Sequence, residues 1–192
     1  MIQRNILLVD NEDSFTFNLV QLLEDLGATV HLVSGKQSTF GPVMAYHGVV
    51  FSPGPGLPQE FPLMDYLLSL EKVPNILGIC LGMQAIALHY GAALFRQEFV
   101  QHGQVKWIDS VEPQGDLFHD LPIPFAAGLY HSWAVREDSL PNDLVITCKS
   151  QDGVIMGLRH KTLPVEGVQF HPESFLTPYG NTMVQHWLNR QK

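Results

Sequence analysis

Cysteine is nearly absent from this chain. Only Cys80 and Cys148 occur among 192 residues, too few for a disulfide framework. Basic residues are scarce as well, with 11 Lys and Arg against 19 Asp and Glu, a net charge of −8. No cluster of Lys or Arg stands out, which argues against nucleic acid as the main partner. No apolar run approaches the length of a membrane span, so no membrane association is expected. Met1 to Asn5 leads straight into a strand-like run rather than a signal peptide. Internal repeats, low-complexity tracts and interdomain linkers are also missing. With 45% hydrophobic residues, the chain reads as one domain over 1–192 with its own core.

What is present alternates. Asn5 to Asp10 reads as a first strand, followed by a helix with Phe15, Leu19, Leu22, Leu23 and Leu26 on one face and Gly27 as its stop. Thr29 to Val33, Val49 to Phe51 and Ile76 to Ile79 supply further strands. Helices are expected from about Pro62 to Leu70 and from Leu81 to Tyr90. Strands alternating with helices predict an α/β fold, a mostly parallel sheet covered by helices on both faces. From Val105 the period shifts towards two, and Ser150-Gln151-Asp152-Gly153 reads as a hairpin turn, so a small antiparallel extension is expected. Thr177-Pro178 should start a last helix carrying Met183, Val184, Trp187 and Leu188.

The most informative segment is Gly78-Ile79-Cys80-Leu81-Gly82-Met83-Gln84, set between a buried strand and a helix. A cysteine framed by glycines at such a turn is the thiol form of a nucleophile elbow, which lifts the side chain above the sheet edge. Glycines allow the strained backbone and the close approach of neighbouring chain. The amides at the helix N-terminus favour a thiolate. The plain alternative is a buried cysteine acting as a small hydrophobe, as expected for Cys148 within the strand-like Val145 to Cys148. A nucleophilic Cys80 must stay reduced, which fits the cytoplasm.

Val168-Gln169-Phe170-His171-Pro172-Glu173-Ser174 supplies what such a thiol needs. Val165 to Phe170 reads as a strand that Pro172 stops, so His171 and Glu173 fall at a strand end, where α/β proteins build their sites. Two residues apart in extended chain, they point the same way. A carboxylate beside an imidazole fixes its tautomer and supports its charged form, as a cysteine's general base requires. Either residue alone would read as an ordinary surface group.

The third segment is Ser52-Pro53-Gly54-Pro55-Gly56-Leu57-Pro58, directly after an apolar strand. Its prolines stiffen it and its glycines expose backbone amides, suited to an oxyanion or a polar substrate. A phosphate loop is disfavoured because the Walker lysine and hydroxyl are missing. A structural turn remains open.

These segments together resemble the class I (triad) glutamine amidotransferases. The similarity is greatest to the small subunits of anthranilate and aminodeoxychorismate synthases. Leu8 to Leu19 resembles that subfamily's D-N-x-D-S-F-T-x-N-L, and Ser52 to Gly56 its S-P-G-P-G. Gly78 to Gln84 resembles its nucleophile motif, Val168 to Ser174 its Q-F-H-P-E-S, and Tyr130-His131-Ser132 the Y-H-S that helps hold glutamine. The resemblance spans almost the whole length. It implies a flavodoxin-like α/β fold, a Cys80–His171–Glu173 triad, and backbone amides of Leu81 and Gly56, from the Gly54-Pro55-Gly56 loop, as oxyanion donors. Gln84 and the Ser132-Trp133 backbone would bind L-glutamine. It implies neither cofactor nor metal. The partner it implies, which receives the ammonia, is a chorismate-using synthase subunit. Two other readings stay open: a non-catalytic regulatory subunit on the same fold, and a stand-alone cysteine hydrolase.

Four departures accompany the resemblance. Met83 stands where the subfamily usually has His, Gln104 where it has Lys, Leu129 for an Arg and Trp133 for a Leu. All four are expected in glutamine- or partner-facing segments. His102, His119, His131 and His160 lack the close pairing or acidic partners of a metal site. Asp10, Glu12 and Asp13 could suggest Mg²⁺, but helix capping by one of them with the rest solvated is the simpler reading.

Overall fold

The computed structural model describes residues 4–110 and 116–190. The expected lead-in from Met1 to Gln3 falls outside them. Eleven strands are described: β1 (Arg4–Asp10), β2 (Ala28–Ser34), β3 (Gly48–Phe51), β4 (Ile76–Ile79), β5 (Leu94–Arg96), β6 (Gln104–Ser110), β7 (Phe125–Leu129), β8 (Trp133–Val135), β9 (Leu144–Ser150), β10 (Ile155–His160) and β11 (Val165–Val168). The helices are α1 (Thr16–Asp25), α2 (Pro62–Leu68), α3 (Leu81–His89) and α4 (Gly180–Asn189).

Nine strands form one sheet in the order β2-β1-β3-β4-β11-β10-β9-β6-β7, and β5 pairs with β8 in a second, two-stranded sheet. From β2 to β11 every pairing is parallel. From β11 to β7 every pairing is antiparallel. The architecture is therefore α/β, with an antiparallel extension on one edge of the parallel core. Its hairpin turns at Gly153, whose φ of +84° a side chain rarely adopts.

The central strands β1, β3 and β4 are apolar on both faces because both faces are covered. In β1, Ile6 and Leu8 join the layer that holds Leu19 and Leu23 of α1 and Met183 and Trp187 of α4. Leu7 and Val9 join the opposite layer, with Leu63 and Leu67 of α2 and Met83 and Ile86 of α3. This period-two division between two apolar layers marks a central strand of a parallel sheet.

Two expectations are corrected here. The last helix begins at Gly180, not Thr177, because Thr177 is used elsewhere: its hydroxyl donates to the His171 carbonyl at 2.6 Å and accepts from the Gly128 amide at 3.0 Å. Gly180 must be glycine at that start, since a Cβ there would lie 1.8 Å from the Pro172 carbonyl oxygen. Met83 and Leu129 are fully buried core residues rather than partner-facing ones. Leu129 follows Phe125 and Ala127 on the inward side of β7, and Met83 sits where α3 crosses β11, within 3 Å of the position of a Gly167 Cβ. Gln104, by contrast, is exposed at the start of β6.

Candidate active site

The ends of β1, β3, β4 and β11 converge on one edge of the sheet. Asn11 follows β1, Ser52 follows β3, Cys80 follows β4 and Gln169 follows β11. Cys80 has φ +51° and ψ −102°, and its amide donates to the Val168 carbonyl at 2.8 Å. A non-glycine residue at positive φ is strained, and neighbouring chain must hold it there. The glycines permit that hold. A Cβ on Gly78 would lie 2.5 Å from the Gly82 carbonyl carbon, and one on Gly82 2.6 Å from Phe51 Cβ.

His171 is 1% exposed, and its Nδ1–H donates to Glu173 Oε1 at 2.7 Å. Burial, the largest influence, pushes the imidazole pKa down. The Glu173 carboxylate and the Cys80 sulfur outweigh it and hold the pKa well above the usual histidine value. Nε2 makes no hydrogen bond of ordinary geometry, although the sulfur lies near enough to favour the charged ring. The pair forms differently from the expected extended strand. β11 ends at Val168, and His171 and Glu173 lie on a turn in which the Ser174 amide donates to the His171 carbonyl at 3.2 Å.

Aromatic rings flank this imidazole. Phe15 meets it edge-on at 5.2 Å between centroids and Tyr130 at 4.9 Å, and the two pack on each other at 4.7 Å. The Tyr130 hydroxyl and Ser174 Oγ are 3.1 Å apart. Phe15, expected on the core face of α1, thus stands beside His171 instead, just ahead of the helix.

The glycine-rich loop is drawn towards Cys80 by Gly54, where a Cβ would lie 2.5 Å from Leu81 Cδ2 and 2.7 Å from the Asn11 carbonyl oxygen. Pro55 and Gly56 form its exposed tip, and Gly56 has φ +70°. The Leu81 amide opens α3 and, like the other first-turn amides of a helix, lacks an intrahelical partner.

Gln84 and Trp133 meet directly: Gln84 Nε2 donates to the Trp133 carbonyl at 2.9 Å and to Gln169 Oε1 at 3.1 Å. Both hydrogens of the Gln84 amide are therefore committed, which leaves its Oε1 as an acceptor. The Ser132 carbonyl accepts from the Gln97 amide at 2.8 Å. Buried His131 donates from Nδ1 to the Trp133 carbonyl at 2.9 Å. Burial and the charge on His171 push its pKa down to about 4, against the opposing pull of that carbonyl.

Three further residues at this edge carry contacts that sequence reasoning misses. Asn11 donates from Nδ2 to the Ser52 carbonyl, Gln169 reaches the Cys80 sulfur, and Thr177 ties down His171. Asn11 and Gln169 lie inside the recognised motifs; the sequence marks Thr177 only as a helix start, with no sign of its contact to His171. None of the three acids at the end of β1 caps α1, whose N-cap position is Phe15 without a side-chain cap; they serve the turn ahead of the helix instead. Asp10 accepts from the Glu12 amide and the Thr16 hydroxyl, Asp13 from the Phe15 amide, and Glu12 pairs with Lys36 at 2.8 Å. His119 contacts Asp120 at the surface, at 3.4 Å. No described helix is long and apolar enough to cross a membrane. Among the described residues, no group of three or more His, Cys, Asp or Glu could hold a metal ion.

The model for the family glutamine amidotransferase class-I matches residues 7–190. The chain belongs to that family. Anthranilate synthase component 2 of Azospirillum brasilense is 41% identical over 191 residues, 96% of this chain and 95% of that protein. Aminodeoxychorismate synthase component 2 of Klebsiella aerogenes is 40% identical over 188 residues, 96% and 100% of the two chains. Among solved structures, a protein of Thermoplasma acidophilum, provisionally assigned to GMP synthase, superposes with a TM-score of 0.86. It is 26% identical, and the match covers 98% of this chain and 94% of that one.

Proposed function

We propose that residues 1–192 form one amidotransferase domain that hydrolyses L-glutamine through a Cys80 thioester and delivers ammonia to a chorismate-using synthase subunit. The observation that carries this reading is the buried His171–Glu173 pair, 2.7 Å apart, beside a cysteine held at φ +51° on a strand-to-helix turn. Family membership supports the chemistry. The names of the Azospirillum and Klebsiella relatives, both second components of synthases, support the partner.

The Cys80 thiolate attacks the side-chain amide carbon of glutamine. The amides of Leu81 and Gly56 hold the tetrahedral oxyanion. The His171 imidazolium gives its proton to the departing nitrogen, the C–N bond breaks, and ammonia leaves a glutamyl thioester. Neutral His171 then takes a proton from water, the hydroxide adds to the thioester, and the C–S bond breaks to return the electron pair to sulfur and release glutamate. Glu173 keeps the ring oriented throughout. The uncommitted Oε1 of Gln84 and the Ser132-Trp133 backbone bind the glutamine. The reduced thiol that this cycle needs fits the cytoplasm.

Labelling by a glutamine-analogue electrophile, read by mass spectrometry, tests the reading. Cys80 should label, and glutamine should protect it. Failure to label would favour a non-catalytic regulatory subunit. Labelling without protection by glutamine would favour an unrelated cysteine hydrolase.

A further inference from the structure

We propose that Gln169 is a further catalytic residue, whose side-chain N–H holds the Cys80 sulfur as a thiolate, and that Gln84 fixes the orientation in which it does so. The proposal rests on reading Cys80 as the nucleophile. Gln169 is completely buried, one residue past β11, and its backbone amide is anchored on the Met156 carbonyl at 2.9 Å. Its Nε2 lies 3.4 Å from Cys80 Sγ, within hydrogen-bonding range for sulfur.

A buried amide can be placed two ways round, and its neighbours decide which is right. The Trp133 carbonyl can only accept, so the Gln84 atom facing it at 2.9 Å is Nε2. The second hydrogen of that nitrogen points to Gln169, which must offer Oε1 at 3.1 Å. Gln169 therefore turns its own NH₂ towards the sulfur. His131 Nδ1–H also donates to the Trp133 carbonyl, at 2.9 Å. The result is a directed set of hydrogen bonds that starts at the Ser132-Trp133 segment and ends on the nucleophile.

An N–H bound to sulfur gains strength when the sulfur carries a charge. Gln169 therefore favours the thiolate before attack. It favours it again when the thioester intermediate collapses and the C–S electron pair returns to sulfur. The titratable group facing the sulfur is His171, with Glu173 behind it; His131 interacts with His171, and more weakly with Lys106 and Asp152. Gln169 is uncharged, so replacing it removes a donor without deleting any of these charges.

The test is the pH dependence of iodoacetamide alkylation at Cys80 in the full chain, followed by mass spectrometry. Cys148 is fully buried with its thiol pKa pushed up, and it serves as the internal control. Loss of one hydrogen bond to a charged group should raise the midpoint of the Gln169→Leu profile by about one pH unit, roughly tenfold in rate at neutral pH. Gln169→Glu keeps the shape, loses the donor and adds negative charge, so its midpoint should rise further. Gln84→Met, which frees Gln169 to turn, should shift the midpoint the same way but less, and it decides the matter should the Gln169 variants fail to fold. Folded variants with a lowered melting temperature but the wild-type midpoint would reduce Gln169 to a packing role and overturn the proposal. Because alkylation needs no glutamine, the two readings separate. A shifted midpoint in a protein that never releases glutamate would uphold Gln169 and remove the glutaminase.

Discussion

Asn11 and Ser52, 41 residues apart, hold each other twice: the Asn11 amide donates to Ser52 Oγ at 2.8 Å, and Asn11 Nδ2 donates to the Ser52 carbonyl at 2.8 Å. Ser52 Oγ passes its own hydrogen to the Pro53 carbonyl at 2.7 Å. The ends of β1 and β3 are thus locked together at the base of the glycine-rich loop. Asn11→Ala keeps the backbone bond but leaves the buried Ser52 carbonyl without its partner, which should cost about 1–3 kcal/mol in chemical denaturation. Glutaminase activity should fall by more than stability alone explains, because the loop that Asn11 anchors is the proposed source of an oxyanion donor.

His171→Asn should reduce glutamine hydrolysis more than Glu173→Gln does. In the proposed cycle His171 carries the proton in both half-reactions, whereas Glu173 orients it, and removing a base outweighs removing its orienter by roughly tenfold to a hundredfold. Steady-state glutamate release from the two variants gives the ratio directly.

The two buried histidines should act in opposite pH windows. The folded His131 pKa is down at about 4, so the unfolded chain binds the extra proton first as pH falls below its ordinary value. Stability should be intact above pH ~6.5 and drop by about 3 kcal/mol between there and pH 4, a loss that His131→Gln should largely abolish. The folded His171 pKa is raised, so its contribution should be complete below pH ~6.5 and fade as pH rises through the folded value. Urea midpoints of wild type and each variant across pH would show two difference curves of opposite slope.

Gly82→Ala should be among the most damaging small substitutions. The added Cβ would lie 2.6 Å from Phe51 Cβ and 2.7 Å from the Phe51 carbonyl oxygen, where β3 backs the start of α3. Overpacking against backbone costs typically ~1–3 kcal/mol, and here it would also displace the turn carrying Cys80. Loss of denaturation midpoint together with slower alkylation of Cys80 is the expected outcome.

Much of the fold and site is legible locally. The parallel strands show as short apolar runs, and the elbow as a cysteine between two glycines, because both depend on near neighbours in sequence. The pairing of His171 with Glu173 is also legible, but its geometry is not. A turn closed by Ser174 and tied by Thr177 brings them together, where strand alternation would be expected. The contacts that reach Cys80 come from afar: Gln169 lies 89 residues from Cys80, and Gln84 49 from Trp133. Periodicity carries no trace of such meetings. Met83 and Leu129 show the same limit from the other side, since only packing against β11 and within the inner face of β7 reveals them as core.

The proposed division of labour between this chain and a synthase subunit is tested most directly by Cys80→Ser in a complex reconstituted with a chorismate-using synthase subunit. Product formation should be measured once with glutamine and once with ammonium as nitrogen source. The glutamine-dependent rate should fall by about 10⁴-fold or more, the scale seen when a nucleophile is lost, while the ammonia-dependent rate stays at its wild-type value. Equal loss of both rates would place Cys80 in folding or assembly rather than in ammonia production. Retention of the glutamine-dependent rate would remove Cys80 from the chemistry altogether.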